Sequence, residues 1–377
     1  MEEISFYKPT ITERENELIQ DVLKNQNSNK TIKALEDTLQ KYFGAKHVIS
    51  TNNLAAAHHL ALSAMEIKRG DKIICSVNSF PSVAQSIRHF DAEPIFVDIN
   101  EDDFNINPDS LEKALKEYNH KKLKGIFVSH IAGQSAPVDE INEIAKHYDV
   151  KVLDDANRSI GLTYNGAKIG NENSFLSCFQ TYSQVNNPIA TAGFFTTNDD
   201  KIAERARLLR NYALINGIDK YGNLGYIYDV VDIGLKYDIS ALNAAYATAQ
   251  IEKNDMFIKR RKEIAEIYNK ELANCPHITT PIKKRDHVYS QYIIKIDKNR
   301  DSFARELLEN DIHTSLHYIP IHLLSYYKAK YNLKVNAYPS ALKVYQQVLS
   351  LPIYNALKDE EVYYICEKIK EISKSRV

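Results

Sequence analysis

The chain has no tryptophan, only 12 glycines among 377 residues, four cysteines and almost no net charge. Each shortage excludes something. Cys75, Cys178, Cys275 and Cys366 lie far apart without metal-type spacing, so they read as reduced, mostly buried thiols of a cytoplasmic protein. A net charge of -1 leaves no overall basic field for nucleic acid, and no dense run of lysines marks a binding arm. No apolar run approaches a membrane span, and the opening MEEISFYKPTITERENELI begins acidic without a signal-peptide core. His58 and His59 fall on a helical stretch without partner ligands, so no metal site is expected there. The scarcity of glycine bears most on function, because a loop that cradles a phosphate usually needs glycine for close backbone approach.

What the chain does have is regular alternation. An amphipathic helix from residue 30 carries Ile32, Leu35, Leu39 and Phe43 on one side and stops at Gly44. Strands are expected over 47–50, 72–76, 94–98, 125–129 and 151–155, separated by helices over 54–65, 82–90, 109–118 and 138–147. That order predicts an α/β fold with a mostly parallel central sheet covered by helices on both faces. A helix follows over 199–212, then one long helical region over 240–272. A smaller α+β unit closes the chain, with strands over 287–296 and 313–317 and helices over 302–309, 340–349 and 360–372. The expected division is an N-terminal arm at 1–28, a large domain at 29–249 and a small C-terminal domain at 250–377. No internal repeat or low-complexity tract interrupts it.

The stretch SCFQTYSQVNNPIATAGFFTT, residues 177–197, reads as strand, exposed loop, strand. Such a loop opens at the carboxyl edge of a sheet, where α/β proteins keep their chemistry. Its surroundings, together with GQSAPVDEINEIAK at 133–146, ERARLLRNYA at 204–213 and HYIPIHLLSYYK at 317–328, resemble the DegT/DnrJ/EryC1/StrS family of sugar aminotransferases over nearly the whole chain. The resemblance implies the fold type I architecture of pyridoxal phosphate (PLP) transferases, a homodimer, and a place in nucleotide-sugar and surface-polysaccharide biosynthesis. In that family a lysine in this loop holds PLP as a Schiff base. Here the lysine position falls on Ser183 or Gln184, and neither lysine nor histidine occurs between Lys168 and Lys201.

The resemblance places the other site residues one by one. In VLDDANRSIG, Asp155 falls on the aspartate that pairs with the pyridine nitrogen, and Arg158 on a glutamine near the ring oxygen. An aspartate capping a turn after a strand is the plainer reading of Asp155. The glycine-threonine pair of the phosphate cup becomes Leu54 and Ala55, and the later serine of the cup becomes Cys178. The aromatic that lies over the ring becomes Ser82. In GLKYDIS, Lys236 replaces an asparagine supplied by the partner subunit, and Asp238 the arginine after it. Lys236 is then either a cation where a phosphate used to sit or a solvated surface lysine. His317, Tyr318 and His322 lie in the segment that lines the family's nucleotide-sugar cleft, or else shape a packed turn; Tyr326 and Tyr327 read as packing residues.

Two readings follow from the resemblance. In one, the chain has lost transamination through a PLP lysine: the cofactor is PLP or pyridoxamine phosphate (PMP) held without a covalent bond, or none, and the protein binds a nucleotide sugar or partners an active paralogue. In the other it is an active PLP- or PMP-dependent nucleotide-sugar aminotransferase or dehydratase with a non-standard site. New chemistry in the old cleft, from Asp155, Arg158 and His317, is a more distant option, since nothing in the sequence aligns them as a nucleophile or an acid–base pair.

Overall fold

The computed structural model describes residues 3–181, 189–216 and 227–375. In chain order its strands are β1 (His47–Thr51), β2 (Lys72–Ser76), β3 (Glu93–Val97), β4 (Leu123–Ser129), β5 (Lys151–Asp155), the short pair β6 (Thr163–Tyr164) and β7 (Ala167–Lys168), β8 (Leu176–Thr181), β9 (Ala192–Thr197), the pair β10 (Leu214–Asn216) and β11 (Tyr228–Val230), β12 (Ile278–Thr279), β13 (Tyr292–Ile296) and β14 (Val348–Leu351). Seven of them form the central sheet in the order β1-β9-β8-β5-β4-β2-β3. All run parallel except β9, which pairs antiparallel with both β1 and β8.

The expected alternation is present, and its cause is burial. Strands such as KIICS and LSCFQT have almost every residue inside, as parallel strands covered on both faces require. Helix Leu54–Ala64 lies against the sheet with His58 and Leu60 among its fully buried residues. On the opposite side Phe43, Phe179 and Phe194 stack, with ring centroids 4.6 Å apart for the first pair and 5.0 Å for the second. A second core gathers Tyr268, Tyr292, Phe303, Leu351 and Ile365 around the three-stranded antiparallel sheet β12-β13-β14.

Three expectations fail here for reasons of tertiary partnership. The helical region over 240–272 is two helices, Ala241–Glu252 and Asn254–Leu272, broken at Lys253 (φ −104°, ψ 0°), whose ammonium pairs with the buried Glu15 carboxylate. Residues 313–317 form no strand. Ile4 of the N-terminal arm takes their edge, with Ile4 N–H donating to the Asp311 carbonyl (2.8 Å) and His313 N–H to the Ile4 carbonyl (3.0 Å). Lastly, the helix expected over 340–349 ends at Gln347, and the next four residues, all buried, become β14 beside β13.

β9 is held closely against the start of helix Leu54–Ala64. A Cβ at Gly193 would lie 2.0 Å from the Asn53 carbonyl oxygen, and that backbone cannot rotate away as a side chain could. Gly193→Ala is therefore expected to lower stability by about 3 kcal/mol, read as a lower urea midpoint at unchanged m-value.

Candidate functional site

The carboxyl ends of β4, β5 and β8 meet the N-terminus of helix Leu54–Ala64. Ser129 and Asp155 are register partners across β4 and β5, and Asp155 and Cys178 are partners across β5 and β8. Strand alternation sends Asp154 and Asp155 to opposite faces, and their surroundings differ accordingly. Asp154 is held by one oxygen: the hydroxyls of Ser174 and Ser177 both donate to its Oδ2, while His130 Nε2 lies 3.4 Å from its Oδ1 without a hydrogen bond. His130 Nδ1 accepts the Ala136 N–H (3.0 Å), which fixes the ring proton on Nε2, toward that carboxylate.

Asp155 is only half satisfied. Ser129 Oγ donates to its Oδ2 at 3.3 Å, while Oδ1 is buried without a hydrogen bond, 3.7 Å from Nε2 of the fully buried His58. The His58 ring packs edge-on against Phe127, and both its nitrogens are also without hydrogen-bond partners. Sequence reasoning missed this pairing by treating His58 only as a metal ligand. The available signal was helical spacing, since His58 stands one turn after Leu54 on the face that meets the sheet. Among the described residues no group of three His, Cys, Asp or Glu side chains is placed to hold a metal ion.

Leu54, Ala55 and Ala56 begin the helix whose N-terminal N–H groups would attract an anion. Two of them are occupied from within the chain: Gln180 Oε1 accepts the Leu54 N–H (3.0 Å) and Asn53 Oδ1 accepts the Ala56 N–H (2.9 Å). Cys178 is fully buried on β8; burial first, then the charges of Asp155 and Asp154, push its thiol well above the usual range. Ser82 opens helix Ser82–Arg88 with its Oγ buried and unbonded.

The remaining candidates separate. His317 is buried, with Nδ1 2.8 Å from Ser350 Oγ, and burial and then the Arg158 guanidinium hold it well below its ordinary pKa. Tyr318 adjoins it, its ring edge-on to the exposed Phe80 at 6.2 Å. His322 does not join them. It is fully buried, 3.0 Å from the Val335 carbonyl and 5.0 Å from the Tyr338 ring, so it packs against a turn. Tyr327 is a packing residue as expected, but Tyr326 is exposed. Lys236 is half exposed and already neutralised: its Nζ lies 2.8 Å from Asp238 Oδ1 and 3.1 Å from Asn211 Oδ1. Ser183 and Gln184 lie outside the described residues.

A mostly parallel seven-stranded sheet with one antiparallel member, an aspartate at the end of its central strand and a helix N-terminus beside it define the class of PLP-dependent transferase folds. The sequence profile of the DegT/DnrJ/EryC1/StrS aminotransferase family matches residues 9–370, and the chain belongs to that family. It is 35% identical to the MJ1066 protein of Methanocaldococcus jannaschii, over 97% of this chain and 96% of that one. It is 31% identical to the spore coat polysaccharide biosynthesis protein SpsC of Bacillus subtilis, over 91% and 90%. Among solved structures, Spr1654 from Streptococcus pneumoniae in its PMP form superposes with a TM-score of 0.91 at 24% identity, covering 98% of this chain and 99% of that one, a likeness of fold.

Two outcomes are expected from these surroundings. Because its thiol is buried and stays protonated, Cys178 resists iodoacetamide in the folded protein at pH 8 and is alkylated only after denaturation, as peptide mass mapping would show. In Arg158→Gln, removal of the neighbouring cation raises the pKa of His317, a shift in its ring-proton titration seen by NMR; an unmoved titration would separate the two residues.

Proposed function

We propose that this chain is a nucleotide-sugar-binding member of its family, acting in cytoplasmic surface-polysaccharide biosynthesis, in which lysine-anchored transamination has been lost. The observation that carries the reading is the occupied helix N-terminus. Gln180 and Asn53 place amide oxygens on the Leu54 and Ala56 N–H groups that a cofactor phosphate would need, and neither Leu54 nor Ala55 supplies the missing glycine or hydroxyl. The thiol of Cys178 is a weak donor and is turned into the core. With Ser183 and Gln184 at the lysine position, the residues present do not fit a phosphate-held, lysine-bound PLP.

Partnership supports the same reading. Tyr212, Leu214, Ile215, Tyr228, Val230 and Ile233 leave an exposed apolar surface on and beside the β10–β11 pair, as a chain that associates with a second copy, or with an active paralogue, would have. His317 and Tyr318 are the residues proposed to meet the sugar.

One observation favours the second reading, an active PLP- or PMP-dependent enzyme. The buried Asp155 Oδ1 has no hydrogen bond, and such an oxygen is what a pyridinium N–H would take. A titration with PLP and with PMP, followed by absorbance and by borohydride reduction with intact mass, separates the two. The expected result is no saturable binding and no trapped adduct, alongside saturable binding of a UDP-sugar. A borohydride-trapped PLP adduct would sink the first reading. Ser183→Lys by itself is expected to leave the adduct absent, since a restored lysine does not reopen the Leu54 and Ala56 N–H groups.

A further inference from the structure

A cavity of about 110 Å³ opens between the ends of β5 and β8, the paired helices Ala241–Glu252 and Asn254–Leu272, the N-terminal arm and the segment after β14. Its charge is one-sided. Lys8, Arg158 and Arg261 line it, and none of the described residues lining it is an aspartate or glutamate. Arg261 is engaged, its Nε donating to the Val288 carbonyl at 3.0 Å. Arg158 is different. Its Nε and Nη1 are both buried without a hydrogen-bond acceptor, and no ion pair within 4 Å neutralises it among the described residues.

The neutral groups converge in the same way. The side-chain oxygens of Asn157 and Asn355 and the hydroxyl of Tyr354 also line this cavity, buried and without hydrogen-bond partners. Buried polar atoms are almost always paired in folded proteins, so a cluster of this kind on one cavity wall marks a place built for polar groups from elsewhere. The complement is readable from the inventory. A guanidinium with open donors asks for a carboxylate or phosphate, and two amide oxygens ask for hydroxyl donors.

We propose that this cavity binds a small hydroxylated anion, whose carboxylate or phosphate is received by Arg158 and whose hydroxyls meet Asn157, Asn355 and Tyr354. An acidic sugar or a sugar phosphate has that chemistry. The proposal deepens the nucleotide-sugar reading and rests on it, since Arg158 lies close enough to His317 to act on its charge.

The test is isothermal titration of the full-length protein with sodium D-glucuronate, with inorganic phosphate and with D-glucose as the neutral control. One of the two anions binds saturably, with one site per chain, and glucose does not; which anion binds assigns the carboxylate or the phosphate. Arg158→Gln weakens that anion by about 10- to 100-fold, the range for a lost charge-assisted hydrogen bond, while Arg158→Lys retains part of the affinity. Lys368→Ala, on the far C-terminal helix, binds as the parent does. Circular dichroism melts verify that each variant is folded. If neither anion saturates the parent protein, or if Arg158→Gln binds with the parent affinity, the proposal is overturned. A parallel titration with UDP-glucose reports on the nucleotide-sugar reading separately, so the two failures are distinguished.

Discussion

The N-terminus of helix Leu54–Ala64 is the point on which the rest of this structure depends. The first N–H groups of any helix lack partners within it and must find them elsewhere. Here two of them, those of Leu54 and Ala56, meet neutral amide oxygens from two directions, Gln180 from the end of β8 and Asn53 from the preceding turn. Thr51 Oγ1 donates to the Asn53 carbonyl, and Thr191 Oγ1 to that of Asn52, so β1 and the approach to β9 hold the same turn. Four chain segments thus converge on a few backbone atoms. A helix end closed in this way contributes to stability, and it has less left to offer an anion. The same positive end of a helix serves either purpose, and the side chains that reach it decide which.

The neighbouring carboxylates show the same division between structure and site. Asp154 and Asp155 are adjacent in sequence and both buried, but strand alternation gives them separate environments. Two hydroxyls and a histidine surround Asp154, which makes it an anchor between β5 and β8. Asp155 keeps one oxygen open beside His58. An open, buried carboxylate oxygen costs free energy unless something else uses it, and that cost is what distinguishes a site residue from a structural one.

Much of the fold was legible because it follows from local pattern. Strands buried on both faces read as short apolar runs, and helices such as Ser28–Phe43 announce themselves by spacing and by a glycine at the end. What was not legible depended on distant partners. The break at Lys253 answers Glu15, more than two hundred residues away; β14 forms because β13 lies beside it; and the stretch around 312–315 makes only isolated bridges, Ile312 to Ile4 and Ser315 to Ser350. The site divided along the same line. Leu54, Ala55 and Cys178 were visible as residue types, whereas the surroundings of Gln180 and His58 arise only where a helix crosses a sheet end. The sequence left Lys236 as either a cation at a phosphate position or a solvated surface lysine, because it does not show that Asp238 and Asn211 meet its ammonium.

Why the frame should persist while the site changes follows from what each requires. The cores around Phe43, Phe179 and Phe194, and around Tyr268 and Tyr292, need shape and apolar area, which many sequences satisfy. A phosphate cup needs bare N–H groups and particular hydroxyls, which few do. Once Gln180 and Asn53 close the helix end, reopening it would leave buried donors unpaired, so the closed arrangement is locally self-stabilising. Positive charge is then not lost from this end of the molecule but relocated. Arg158, three residues past Asp155, presents it from the loop after β5 to the cavity behind the sheet end, where no described lining residue carries a carboxylate to answer it.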